Sequence, residues 1–268
     1  MSLLNKEIEN TIVAIGDSLN GVERWFGTGF FVRKKAPDNG SYVYLISNKH
    51  VLMNREKINI RVVLKNNKVT TISVPLIING KSLLSIHYNN NIDIAAVLLN
   101  GQFIDEQMEI IYTFDLDDDS FSSDEYVDNG GFEGSPIFML GFPLGFIDEY
   151  STTPICRMGC IARFKLDEIK NKFNFILDLQ NFPGNSGSPI ICCPENIGLQ
   201  GTKMINKAAL IGIIHSYIPY NEYLINSQTN HVAEIKTENS GLALAHPVEY
   251  IRDIVVNDLL KKGFIGKN

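Results

Sequence analysis

At 268 residues the chain is long enough for one large domain or two small ones. Hydrophobic residues at 44% and charged residues at 20% are globular proportions. A formal net charge of -6 excludes a general nucleic-acid binder, whose phosphate contacts need clustered Lys and Arg. The start, Met1-Ser-Leu-Leu-Asn-Lys, lacks the basic region and apolar core of a secretory signal, and no run approaches the ~20 apolar residues of a membrane span. The expectation is a cytoplasmic chain with no membrane and no nucleic-acid partner.

Apolar runs at 11–15, 26–33, 42–47, 58–64, 70–76 and 94–99 read as strands separated by turns such as Asp38-Asn39-Gly40. Strands at this spacing suggest an all-β barrel, not alternating strands and helices. His50 stands at the end of the run Tyr44-Leu-Ile-Ser-Asn-Lys-His50, and Asp93 opens Asp93-Ile-Ala-Ala-Val-Leu-Leu. From Asp115 to Gly131 the chain is acidic and rich in Ser and Gly, as a solvated connection between domains would be. Asp115, Asp117 and Asp119 alternate like the opening of a calcium loop. Ser120 and Tyr126, however, occupy the places of its glycine and bidentate glutamate, so no metal is expected.

A second strand series covers 137–141, 158–164, 175–179, 189–193, 208–215 and 241–245. The expected division is 1–114, a linker at 115–131, and 132–268. Within 247–262, Val248, Ile251, Val255 and Leu259 recur at helical spacing behind Pro247. Cys192 and Cys193, adjacent on a strand, point to opposite faces and make poor disulfide partners for each other. Paired strands could bring Cys156 or Cys160 to one of them for a zinc site or a disulfide, but buried free thiols in a reducing cytoplasm are the preferred reading.

The run Phe182-Pro-Gly-Asn-Ser-Gly-Ser-Pro-Ile-Ile carries the chemistry. Gly184 and Gly187 permit a turn that aims the amides of Gly184 and Ser186 at one point beside the Ser186 hydroxyl. Two convergent N–H groups next to a nucleophile form an oxyanion hole. Serine needs a base to take its proton, and the base needs a carboxylate to orient it. His50, Asp93 and Ser186 are the candidate triad, in one of the chain orders known to build that constellation. No cofactor is called for.

With these residues, and with Gly27-Thr-Gly-Phe-Phe-Val, Gly141-Phe-Pro-Leu-Gly145 and Gly241-Leu-Ala-Leu-Ala, the chain resembles the trypsin/chymotrypsin superfamily over most of its length. The resemblance is closest to the bacterial branch of high-temperature-requirement proteases, glutamyl endopeptidases and exfoliative toxins. It implies two six-stranded antiparallel β-barrels, a C-terminal helix docked on the second, and a cleft between them for a protein or peptide substrate. The run Leu210-Ile-Gly-Ile-Ile-His215-Ser216 corresponds to the strand that lines the specificity pocket and pairs with substrate backbone. Ile214, His215, Ser216 and Asn181 are thus the implied substrate-binding residues.

Two roles for His215 stay open on this resemblance. It binds a substrate carboxylate, or it takes the small polar position that supports the triad aspartate. Gln180, where trypsin-like enzymes carry a pocket-base aspartate, argues against Lys or Arg preference. Asn185 cannot form the ion pair that activates trypsin-type zymogens, which leaves an enzyme folded ready for action or one ordered by a partner protein. No appended peptide-binding domain is expected after Asn268. His87 and His231 read as exposed and His246 as a capping or surface residue. The alternative from another class is a catalytically silent module that binds a peptide without cutting it.

Overall fold

Asn20 and Gly21, both at positive φ (53° and 80°), supply the two-residue turn that a twisted hairpin prefers. They join β1 (Ile12–Leu19) to β2 (Val22–Lys35). The computed structural model describes residues 4, 6–37, 40–64, 66–99, 112–147, 152–195, 201 and 203–266. Asp38 and Asn39 of the predicted turn lie outside them.

A short helix α1 (Lys6–Glu9) precedes β1. After β2 come β3 (Ser41–Ser47), α2 (Lys49–Leu52), β4 (Lys57–Val63), β5 (Val69–Pro75), the hairpin β6 (Ile77–Ile78) and β7 (Lys81–Ser82), β8 (Leu84–Ile86), β9 (Ala95–Leu98) and β10 (Phe114–Asp115). The sheet order is β5-β4-β1-β2-β3-β9-β8, with β10 parallel to β2. Alternate residues of its central strands are buried on opposite faces. Val13, Ile15, Phe31, Leu45 and Val97 fill the sheet's own interior with Ile58 and Ile60. Ile12, Ala14, Phe30, Tyr44, Ile46 and Ala96 enter a separate core shared with the second half. Burial on both faces explains why these strands read as continuous apolar runs.

The second half is a closed barrel. Its order is β11 (Pro136–Gly141), β12 (Ile155–Arg163), β13 (Phe175–Asp178), β16 (Val232–Pro247), β15 (Ala209–Ile225) and β14 (Pro189–Cys192). Ile137, Met139, Phe175, Leu177, Ile190, Ile211 and Ala243 line its interior. A helix α3 (Ser123–Asp128) precedes β11, α4 (Leu166–Lys172) links β12 to β13, and α5 (Glu249–Lys261) closes the chain.

Among the described residues the strands of the N-terminal half pair as a sheet, without the closing ladder of the expected second six-stranded barrel. Leu83 N–H, just before β8, donates to Leu76 O, just after β5, at 2.8 Å.

The C-terminal helix also differs from expectation. Pro247 ends β16, and α5 seats Ile251, Ile254, Val255 and Leu259 in the core shared by both halves. Asp258 Oδ2 on α5 accepts the Tyr44 hydroxyl of β3 at 2.8 Å and the Lys262 ammonium at 2.5 Å. Its other oxygen accepts Ser85 Oγ at 2.5 Å.

The stretch 115–131 is structured, not solvated. Asp115 is buried and paired with Arg33 at 3.1 Å, and its carboxyl receives the amides of Asp117 and Asp118. Burial opposes ionisation there, but those amides with Arg33 and Lys35 hold the pKa below the usual carboxylate value. A capping box, Ser122 with Glu125, starts α3. Arg252 of α5 reaches back to Ser120 and Glu125.

All four cysteines are free, but Cys156 is exposed and Cys160 half-buried, and β11 separates their strand from that of Cys192. Beyond the barrel β15 and β16 continue as an exposed two-stranded ribbon, pairing Pro219 with Asn239 through to Ile225 with Val232. No helix among the described residues is long and apolar enough to cross a membrane.

Removing the Asp258 carboxylate strands the buried Tyr44 hydroxyl. Asp258→Ala should lower the unfolding free energy by about 2–4 kcal/mol, and isosteric Asp258→Asn by clearly less. Urea melts at constant pH would measure both.

Candidate active site

Asn48 leaves β3 in extended conformation and starts the one-turn helix α2. Its side-chain amide donates to Asp93 O at 2.8 Å, and Lys49 N–H donates to the same carbonyl at 3.3 Å. The Asp93 carboxylate is then held at both oxygens by one residue. His50 N–H donates to Oδ1 at 3.0 Å, and His50 Nδ1 lies 2.5 Å from Oδ2. A carboxylate accepts only, so Nδ1 carries the proton and Nε2 of the exposed ring is left as the basic atom. Burial works against the Asp93 charge, but the His50 bonds outweigh it and hold the pKa below the usual value.

The Phe182–Gly187 segment is held from both halves of the molecule, with Leu144 N–H donating to Pro183 O at 2.6 Å within its own half. Thr28 Oγ1 donates to Gly184 O at 2.7 Å, and Thr28 N–H donates to Ser186 O at 2.9 Å. Ser47 Oγ, three residues before His50, donates to Thr28 O at 2.7 Å. Gly187, at φ 89°, passes so close that a Cβ there would lie 2.1 Å from Thr28 O and 2.3 Å from Ser47 Oγ. Gly184, at φ 95°, would put a Cβ 2.4 Å from Phe142 O. Only glycine fits either place. Neither the Gly184 nor the Ser186 amide donates a hydrogen bond among the described residues, so both remain free to receive an oxyanion. The Ser186 hydroxyl itself makes no hydrogen bond to the His50 ring; such bonds often tighten only with substrate bound.

The four residues expected to bind substrate sit differently from one another. Ile214 is fully buried, and its backbone is spent on the turn around Ser186, accepting from Gly187 N–H and donating to Ser188 O. Asn181 is buried, and its carbonyl accepts from Asn239. Ser216 is half-exposed, 3.0 Å from His215 Nδ1. His215 is the extra residue of a β-bulge, since Ile214 pairs with Ala245 and Ser216 with Leu244. A bulge re-aims a side chain. Here the ring is stacked on His246 at 4.0 Å between centroids. Burial and the neighbouring His246 push its pKa down to about 3. At neutral pH it therefore offers no positive charge to a substrate carboxylate.

Two histidines contradict the sequence expectation. His87 is buried near Asp253, and His246 is only 1% exposed. His246 Nε2 lies 3.0 Å from the Asp93 amide nitrogen, and its Nδ1 lies 2.6 Å from Phe173 O. The strand runs on through His246 to Pro247, and Ala243 and Ala245 point into the barrel. Period-two alternation therefore turns His246 outward, toward the other half. That alternation was the available signal. Asn185 is fully buried with both side-chain polar atoms unpaired, which suits an uncharged residue better than the aspartate of trypsin zymogens. Among the described residues, no group of three His, Cys, Asp or Glu is arranged to hold a metal ion.

Burial keeps His87, His215 and His246 below their ordinary pKa. The unfolded chain takes up their protons below about pH 6.5, while the folded chain does so only at lower pH. Stability is thus independent of them above that pH and falls as the pH drops through 6.5 toward the folded values. Each contributes up to about 1.4 kcal/mol per pH unit. Denaturant melts between pH 7.5 and 5 should show this decline, and His215→Phe should reduce its slope by about one proton.

No protein family and no curated protein matches the sequence. Solved structures do match. The serine endoprotease from Yersinia pestis aligns with TM-score 0.52 and 15% identity over 95% of this chain and 64% of its own. The HtrA-type protease AlgW with a decapeptide aligns with TM-score 0.51 and 14% identity over 95% of this chain and 66% of its own. A third, the MamO protease domain from Magnetospirillum magneticum, gives TM-score 0.46 and 12% identity over 93% of this chain and 98% of its own. This chain thus spans just under two thirds of the first two. Such identities speak for the fold alone, and the fold is that of the HtrA-type, trypsin-like serine proteases.

Proposed function

We propose that the protein is a serine endopeptidase working through His50, Asp93 and Ser186. The observation that carries this reading is the two-point grip of His50 on the Asp93 carboxylate, which leaves Nε2 as the only basic ring atom. Ser186 Oγ attacks a peptide carbonyl as His50 Nε2 takes its proton. The oxyanion is received by the amides of Gly184 and Ser186, and His50 returns the proton to the leaving amine. Asp93 fixes the tautomer and stabilises the imidazolium.

We read 1–114 and 132–268 as two lobes joined by 115–131, with the N-terminal sheet as an unclosed counterpart of the barrel. The substrate would be a protein or peptide segment laid against β15 at Ser216 and the exposed Tyr217. Ile214, Asn181 and His215 would shape that wall from within. Neutral His215 supports the triad side of its two roles and weakens the case for acidic specificity. The free amides of the turn and the uncharged Asn185 favour an enzyme ready without cleavage of its N-terminus; an activating partner is the fallback. The free thiols suit a reducing compartment.

A fluorophosphonate should modify wild-type protein at Ser186 and leave Ser186→Ala unmodified, as read by mass spectrometry. His50→Ala and Asp93→Ala should each slow labelling by several orders of magnitude, because triad members act as a unit. Absence of labelling, with and without candidate partner proteins, would turn the reading to a silent peptide-binding module.

A further inference from the structure

The donors and acceptors around His246 allow one arrangement of protons. Phe173 O can only accept, so His246 Nδ1, 2.6 Å away, carries a hydrogen. The Asp93 amide can only donate, so His246 Nε2, 3.0 Å away, presents its lone pair. The ring is therefore the neutral Nδ1–H tautomer. A second proton on Nε2 would face the Asp93 N–H head-on.

The elements that hold this ring leave it little freedom. Phe173, a non-glycine at φ 62°, caps α4 in the left-handed conformation and so aims its carbonyl at the ring. Such strain persists only where the surroundings impose it. His215 stacks on the ring with the planes 13° apart, and Tyr250 of α5 meets it edge-on at 6.3 Å. The ring belongs to β16 of the second half, whereas Asp93 belongs to the first. The Asp93 carbonyl is already held by Asn48 and Lys49, and its side chain by His50. His246 supplies the only grip on its amide among the described residues.

We propose that His246 is a positioning residue of the active site, a neutral imidazole of the C-terminal barrel that fixes the Asp93 backbone and through it the His50–Asp93 hydrogen bond. This rests on the triad reading above and adds a requirement to it. The site needs one unprotonated histidine as base and a second unprotonated histidine as clamp. The charged and titratable groups around the clamp are Asp93, Lys49, His87, His215 and Tyr250. Burial, opposed by the Phe173 carbonyl and Asp93, favours the neutral ring.

The test compares His246→Phe with His246→Gln in the full chain. Phenylalanine keeps the ring and its stack on His215 but removes both hydrogen bonds. Glutamine can again accept from the Asp93 amide. The probe is a fluorophosphonate, whose saturable labelling of Ser186 separates the maximal rate from the half-saturating concentration without a known substrate. His246→Phe should lower the maximal rate about 10- to 100-fold, the scale of a misplaced catalytic group, at an unchanged half-saturating concentration. His246→Gln should recover most of it. A core-packing role alone predicts the reverse order, with phenylalanine the better replacement.

Proton and nitrogen NMR of the imidazoles gives a second readout that needs no activity. Wild type should show His246 as the Nδ1–H tautomer. The hydrogen-bonded Nδ1 proton of His50 should weaken or vanish in His246→Phe and persist in His246→Gln. If wild type is not labelled at all, the peptidase reading fails and the NMR comparison alone decides the clamp. An Nε2–H tautomer for His246, or an unaltered His50 resonance in folded His246→Phe, overturns the proposal.

Discussion

The candidate site depends on the hydrogen bonds that Thr28 makes across the seam between the two halves. From β2 it holds Ser186 O with its amide and Gly184 O with its hydroxyl, while its own carbonyl is held by Ser47. One residue of the first half thus sets the backbone on both sides of Asn185, and Ser47 links it to the segment leading into His50. These bonds are buried, so breaking one leaves unpaired groups in a low-dielectric seam. The Ser186 turn is braced from both sides, by Thr28 across the seam and by Leu144 and Ile214 within its own half.

The docking has its own cause. The first sheet exposes a second apolar face, with Phe30, Tyr44 and Ile46, that its own interior cannot absorb. Phe138, Leu140, Phe142 and Ile213 of the barrel cover it, and α5 completes the layer. The acidic stretch after residue 112 adds to this joint. Asp115 pairs with Arg33 on β2, and Ser120 and Glu125 are held by Arg252 on α5. What looks in composition like a tether binds both halves.

Electrostatics beneath the site follow from the same burial. Three histidines lie within the packed region behind Asp93, each kept neutral by the loss of water. The one exposed imidazole of the site, His50, is bonded to the carboxylate. The layer of neutral rings beneath it acts as fixed hydrogen-bonding structure. Acid threatens stability and geometry together, because one of these neutral rings, His246, also holds the Asp93 amide.

The sequence by itself determined the strands and the reactive turn. Apolar runs marked the longer strands of both halves but not the short β6, β7, β8 and β10, and Phe182-Pro-Gly-Asn-Ser-Gly allowed glycine-dependent geometry around one serine. His50 and Asp93 were singled out by their chain order with Ser186 and by the family resemblance of the segments around them, since either alone reads equally as a core histidine or a strand-end cap. The sequence left undecided whatever depends on contacts between distant segments. The bulge at His215 is a register shift between β15 and β16, and no local pattern encodes on which side an extra residue will be absorbed. His246 looked like a surface residue because its partners, Phe173 and Asp93, lie 73 and 153 positions away. The acidic stretch looked solvated because the cations that neutralise it sit on other elements. Composition reports the charge of a segment, and only the tertiary structure decides which groups of opposite charge or complementary hydrogen bonding come to meet it.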